Sequence, residues 1–443
     1  MILARSKFAA VLACVAVAIG CGEPTFERDE LALINQSVGP GHADQIEAML
    51  TELFGTPDEP RLPAELAGLS GLAGLPGLID AERLNQAAGP VASHTVGVNT
   101  GLYRRHCSRC HGVTGDGRGP TALYQHPYPR DFRRGTFKFT STPRGVPPTD
   151  ADLHATLLRG GAGTAMPSFA MLEQAERDAL VDYVKYLAIR GQLERELIAF
   201  AADDFDYNPL TGDEGPGLSA GSRSDRQFVA EELLGPIVAR WSTAADRVIE
   251  PPAAPAGFPE RLVARGRELF SDQKRVGCIK CHGDAATIAR GGRGAVPIKD
   301  YDVWNWRRHD FGKRTAALEG ELTRLAGTAA GNEFARREHA LKQRLVASRR
   351  QAAAEMLPPV RARPRQLGAQ ALRGGSSPED LFRHVQQGID GTPMPSIEGV
   401  LTDEDVWSLV AFVMHASAKP ANATPSETPT ARASHSPLAS ATP

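Results

Sequence analysis

The sequence predicts an all-α protein, with two tandem compact units, a helical connector between them and a helical insertion in the second. Three observations lead there. Helical patterns run through residues 44–54, 227–249 and 316–357. Residues 152–168, DLHATLLRGGAGTAMPS, align with residues 380–396, DLFRHVQQGIDGTPMPS, from Asp to Ser without a gap. Each copy also follows a Cys-x-x-Cys-His run, Cys107-Ser108-Arg109-Cys110-His111 and Cys278-Ile279-Lys280-Cys281-His282. Chemical groups that recur in the same order mark a repeated structural unit.

Composition sets the outer limits. Apolar residues are 42% and charged residues 23% of the 443, which excludes a wholly disordered chain and a polytopic membrane protein. A formal charge of −2 gives no reason to expect nucleic acid as a partner. The 44 glycines and 33 prolines point to long loops between helices. Aromatic residues are only 6%, so the core must be supplemented by something other than side chains.

The elements follow in order. Arg5 and Lys7 precede a twelve-residue apolar run, residues 8–19, too short to span a bilayer. Ala18-Ile19-Gly20-Cys21 has the small residues of a bacterial lipoprotein signal, although Ala18 stands where leucine is commonest. Residues 1–20 are therefore read as removed on export, with Cys21 as the lipidated mature N-terminus; an ordinary secretory signal with an incidental cysteine is the alternative. Their loss takes away two cations and no acid, moving the formal charge from −2 to −4. No later stretch reaches eighteen apolar residues, so acyl chains are expected to hold the protein to a membrane facing the periplasm.

Residues 21–95 form a lead segment with a short amphipathic helix at 44–54, ended by Gly55-Thr56-Pro57, and a Gly/Leu/Ala stretch at 64–78. Residues 96–190 are the first unit. Residues 191–257 connect, with an acidic Asp203-Asp204-Phe205-Asp206, a loop-like 212–221 and a helical pattern interrupted at Gly235-Pro236. Residues 258–416 are the second unit, with inserted helices at about 301–359. Residues 417–443, mostly Ser, Thr, Pro, Ala and Asn, are expected to be disordered.

The Cys-x-x-Cys-His runs carry the chemistry. This is the attachment motif of c-type haem. Two thiols three positions apart on a helical turn face one side, and each can add to a haem vinyl group. The histidine after them then lies under the iron. Cys107, Cys110, Cys278 and Cys281 are the expected attachment points, with His111 and His282 as proximal ligands. Disulfides would not call for a histidine after both pairs. A single four-cysteine zinc site would need far less than the 168 positions between Cys110 and Cys278. Two covalently bound haems c are thus the expected cofactors, and they would supplement the aromatic-poor core.

Met166 and Met394 occupy the same place in the repeat, in Gly163-Thr164-Ala165-Met166-Pro167 and Gly391-Thr392-Pro393-Met394-Pro395. Met/His ligation is the cytochrome c arrangement, so they are the expected sixth ligands. Methionines more often fill cores, but only seven exist in the chain and two recur at matching positions. The rival donors His154 and His384 read as helix-surface residues, and His106 adjoins Cys107 on the proximal side.

On these residues the chain resembles the class I cytochrome c family twice over, across about residues 96–190 and 260–416. The resemblance implies a first helix at Gly266-Arg267-Glu268-Leu269-Phe270, a shorter one at Gly101-Leu102-Tyr103, and closing helices at 173–187 and 402–415. It implies that Tyr183 and Phe412 pack across those first helices, and that a carbonyl near a proline after the motif accepts a bond from the proximal histidine. Pro120 and Pro297 are the candidates for that proline.

One departure stands out. His111 and Met166 are 55 positions apart, His282 and Met394 are 112 apart. Residues 303–373 hold fifteen Lys/Arg against six Asp/Glu, which reads equally as a solvated face or as a docking surface for an acidic partner. The function expected is an exported dihaem electron carrier between a redox donor and an acceptor, without catalytic residues. A peroxidase-like dihaem enzyme with one open iron is the alternative, and an electron-transfer subunit of a membrane reductase or oxidase is a third reading.

Overall fold

The computed structural model describes residues 24–63, 74–91, 100–208, 213–284, 303–326, 336, 338–340, 342–343, 345–347, 349–350, 357–358, 364–368 and 370–418. Residues 1–20, Cys21, Pro297 and the tail from 419 lie outside them. The fold is all-α. Among the described residues the one paired sheet is a hairpin of two-residue strands, Tyr207–Asn208 against Asp213–Glu214. No helix of the described residues is long and apolar enough to cross a membrane.

Apolar residues recur every three to four positions along Gln174–Asp204, a 31-residue helix. Leu180, Tyr183, Tyr186, Leu187, Leu193 and Leu197 are buried on it, and it forms the spine of a first core. Helix Pro40–Phe54 turns Ile46, Met49, Leu50, Leu53 and Phe54 into the same core. The lead segment therefore belongs to the first core and is not a separate piece. The connector joins it too: Val229, Leu234, Val238 and Trp241 are buried there. The boundary read at 190/191 falls inside the long helix, which continues well beyond residue 187. Its charges concealed this burial. Asp182, Lys185, Arg190 and Glu194 are all buried. Lys185 Nζ stands 2.8 Å from Asp182 and 3.0 Å from Asp150, and donates to the Leu78 carbonyl at 2.6 Å. Arg190 pairs with Glu194 at 3.3 Å and lies 4.0 Å from the Phe26 ring centre, while Glu194 accepts the Asp29 N–H at 2.8 Å. Removing one partner of such a buried pair costs on the order of 3–5 kcal/mol, and the lead segment meets these charges through the Leu78 carbonyl, the Asp29 N–H and the Phe26 ring.

The Gly235-Pro236 interruption is spanned by continuous helical backbone: a π-helical turn, Val229–Leu234, joins helix Arg223–Phe228 to helix Gly235–Ser242.

A second core forms where helix Glu260–Ser271 crosses helix Asp403–Ala418. A Cβ on Gly266 would overlap the Ser408 carbonyl and come 2.8 Å from Phe412 Cβ, so only glycine permits this crossing. Phe270 packs on Phe412 at 5.2 Å between ring centres, and Tyr103 on Tyr183 at 4.7 Å in the first core.

The repeated segments fold alike. Helix Asp150–Arg159 is capped by the Thr149 hydroxyl, and helix Pro378–Gln387 by Ser377, its counterpart. Within the insertion, Val303–Ala326 is one helix.

Candidate functional site

Each Cys-x-x-Cys-His run is one tight turn. The Cys107 carbonyl accepts N–H bonds from Cys110 at 3.1 Å and His111 at 2.9 Å; Cys278 does the same for Cys281 and His282 at 3.1 and 2.9 Å. Both turns end on a glycine of positive φ, Gly112 at 77° and Gly283 at 79°, a backbone that L side chains rarely adopt. The Tyr103 hydroxyl donates to the Gly112 carbonyl at 2.9 Å, fixing the end of the first turn.

The four thiols are unpaired. Burial, reinforced by Cys110, pushes Cys107 up to about 12; burial pushes Cys278 up to about 11. The two cysteine pairs also lie against different cores. Among the described residues no three His, Cys, Asp or Glu side chains gather as a metal cluster.

Each histidine is oriented by a main-chain carbonyl. His111 Nδ1 donates to the Arg130 carbonyl at 2.9 Å, and His282 Nδ1 to the Arg365 carbonyl at 3.3 Å. That leaves Nε2 of each ring for a metal. Burial lowers both histidines, His111 to about 4, so each imidazole is neutral and fit to ligate. Phe132 stacks on His111 at 4.4 Å between centres and 19° between planes. The acceptor is thus ten residues beyond Pro120, which corrects that expectation, because the chain loops away and returns before it meets the imidazole. Pro297 lies outside the described residues. Sequence reasoning missed Arg130 and Arg365, although a signal existed: Pro129-Arg130-Asp131-Phe132 and Pro364-Arg365-Gln366-Leu367 both place Pro-Arg two positions before an apolar residue. Phe132 and Leu367 are both buried.

The methionine loops are wired identically. The Met166 N–H donates to the Thr164 hydroxyl and the Met394 N–H to the Thr392 hydroxyl, both at 3.2 Å. Each threonine hydroxyl donates back at 2.7 Å, to Gly161 and Ile389 respectively. Ser168 Oγ donates to Leu158 and Ser396 Oγ to Gln386, two more equivalent bonds. Gly160 and Gly388, with φ of 66° and 71°, let the preceding helix abut Pro167 and Pro395 too closely for a side chain.

The rival histidines are otherwise engaged. His154 Nε2 lies 3.1 Å from Asp178 Oδ1. His384 is not a plain surface residue: Phe139 meets its ring edge-on at 5.6 Å, and burial lowers it to about 4. The cause is the packing of residues 139 and 384 from the two repeat copies against each other. His106 meets Phe169 at 6.2 Å.

Paired thiols, a carbonyl-held histidine and a methionine loop define a c-type cytochrome domain, which binds haem c covalently and serves electron transfer. Residues 99–184 and 361–413 match the family model described as cytochrome c oxidase, cbb3-type, subunit III. The matched stretches include Cys107, Cys110, His111, Met166, Arg365 and Met394; residues 278–282 fall outside them. No curated protein gives a significant match. Among solved structures, the reducing HAO-like protein complex of Kuenenia stuttgartiensis aligns at 20% identity over 76% of this chain and 96% of that one, with a TM-score of 0.41.

Proposed function

We propose that the protein is an exported dihaem cytochrome that relays single electrons between redox partners. The reading rests above all on the matched wiring: two carbonyl-held histidines after Cys-x-x-Cys, and two methionine loops with the same hydrogen bonds. Cys107 and Cys110 would hold one haem, with His111 and Met166 on its iron; Cys278 and Cys281 would hold the other, with His282 and Met394. Bound haem c supplies a one-electron ferric/ferrous couple at each site. The protein's part is to keep both imidazoles neutral and oriented, to present a thioether opposite each, and to exclude water and exogenous ligands.

The insertion, with its excess of cations, is the proposed docking surface for an acidic partner. Of the residues there, Arg350 is exposed and pairs with Glu319 at 2.8 Å, and Arg349 is buried. The name of the matched family favours a second reading, an electron-transfer subunit within a membrane oxidase. Purification as a free chain or within a stable complex separates the two.

A pyridine haemochrome assay tests the central claim. Two haems per chain are expected, and acid–organic extraction should leave both on the polypeptide. A single haem, or colour that extracts, overturns the proposal. Membrane attachment is proposed through Cys21. Cys21→Ala should release the protein into the soluble fraction or block signal cleavage, because acyl chains would be the sole attachment. A processed variant that stays with the membrane refutes lipidation as the sole anchor: either Cys21 is not lipidated or a partner holds the protein in place.

A further inference from the structure

Arg130 and Arg365 sit at matching places in the repeat, and each acts on both copies. The Arg365 carbonyl accepts from His282, while its Nη2 donates to the Ala162 carbonyl at 3.2 Å, in the loop that presents Met166. The Arg130 carbonyl accepts from His111, while its guanidinium covers Gly391 in the loop that presents Met394. A Cβ at Gly391 would come 2.8 Å from Arg130 Nη1, and one at Gly163 would come 3.1 Å from Arg365 Nη1. Gly163 and Gly391 are equivalent positions of the repeat.

A second arginine reinforces each contact. Arg373 Nε donates to the same Ala162 carbonyl at 3.1 Å and Nη2 to the Gly163 carbonyl at 3.4 Å. On the other side Arg144 Nε stands 3.6 Å from Asp390 Oδ1, and the Gly145 N–H donates to Asp390 Oδ2 at 3.3 Å. Ala162 and Asp390 are again equivalent. The contacts are therefore crossed and reciprocal: arginines of each copy grip the methionine loop of the other.

We propose that Arg130 and Arg365 are crossed positioning residues. Each orients the proximal imidazole of its own copy through its carbonyl and holds the other copy's methionine on its iron through its guanidinium. This rests on the His/Met haem reading above. Truncating the side chain leaves the carbonyl in place, so the effect should fall on the distant iron and spare the near one.

The test is imidazole titration of the ferric full-length protein, followed by loss of the near-infrared methionine-to-iron band. Met394→Ala leaves one methionine-ligated iron, at the Cys107/Cys110 site. In that background Arg365→Ala should raise imidazole affinity at the remaining iron about tenfold, the worth of one hydrogen bond from a charged donor. Arg130→Ala should leave it unchanged. In the Met166→Ala background the direction should reverse: Arg130→Ala should raise imidazole affinity at the remaining iron, and Arg365→Ala should leave it unchanged. The unaffected member of each pair shows that the fold is intact. A same-copy pattern, an equal effect of both arginines in both backgrounds, or no effect of either overturns the proposal while leaving the ligand reading intact. If neither methionine variant opens an iron, the ligand reading fails and takes the proposal with it.

Discussion

Met166→Ala and Met394→Ala should each let one ferrous iron bind carbon monoxide, where the unsubstituted protein binds none at neutral pH and the double variant binds two equivalents. The expectation follows from coordination alone: with an imidazole and a thioether on each iron no position is open. Each substitution should also lower the potential of its own haem by a fraction of the roughly 0.8 V that axial ligands command. Carbon monoxide titration with redox potentiometry reads both. Uptake by the unsubstituted protein would show one iron already open and move the peroxidase-like alternative ahead of the carrier. The equal wiring of the two loops argues against that asymmetry, since neither methionine is held less firmly than the other by its own threonine.

Gly266→Ala should destabilise the second core by about 1–2 kcal/mol. Two effects oppose each other. Alanine in mid-helix gains up to about 1 kcal/mol over glycine. Its methyl group, however, would overlap the Ser408 carbonyl, and overpacking against main chain costs roughly 1–3 kcal/mol and often cannot relax. The clash wins because a backbone carbonyl within helix Asp403–Ala418 has no rotamer to move to. Gly320→Ala provides the control, lying exposed on helix Val303–Ala326 with nothing within 4 Å of its Cβ position. It should be neutral or slightly stabilising. Thermal unfolding by circular dichroism checks both, and equal midpoints for the two variants would refute the argument.

What could be read from the sequence was whatever residue type alone determines. The attachment turns, the methionine loops and their helices announce themselves because thiols, glycines and capping hydroxyls are needed at set intervals. The all-α class followed from the same segments. The acceptors for the proximal histidines were not legible, because any residue has a carbonyl and only the return path of the chain selects Arg130 and Arg365. Nor was the place of the lead segment. Residues 44–54 show an amphipathic face, but nothing in them names the surface that covers it. That surface is the far half of the 174–204 helix, whose Arg190 and Glu194 look like solvent-facing charges until Phe26 and Asp29 are seen against them. His384 was misread for the same reason, since its neighbour Phe139 lies some 245 positions earlier in the chain.

The 31-residue helix also has a mechanical consequence. At 1.5 Å per residue it is a rod about 46 Å long. Tyr183, near one end, packs beside the first attachment turn; Leu197 and Ile198, near the other, lie in the core that the lead segment completes. Both stretches lie in one core, where Phe54 packs on Tyr186 at 5.7 Å and Tyr186 on Tyr183 at 5.7 Å, so loss of the lead segment uncovers the helix as far as the cysteine turn. Clipping the chain before residue 60 would then loosen the packing around Cys107, because it removes the Pro57 carbonyl that accepts from the Tyr183 hydroxyl at 3.2 Å and the Asp58 partner of Arg104.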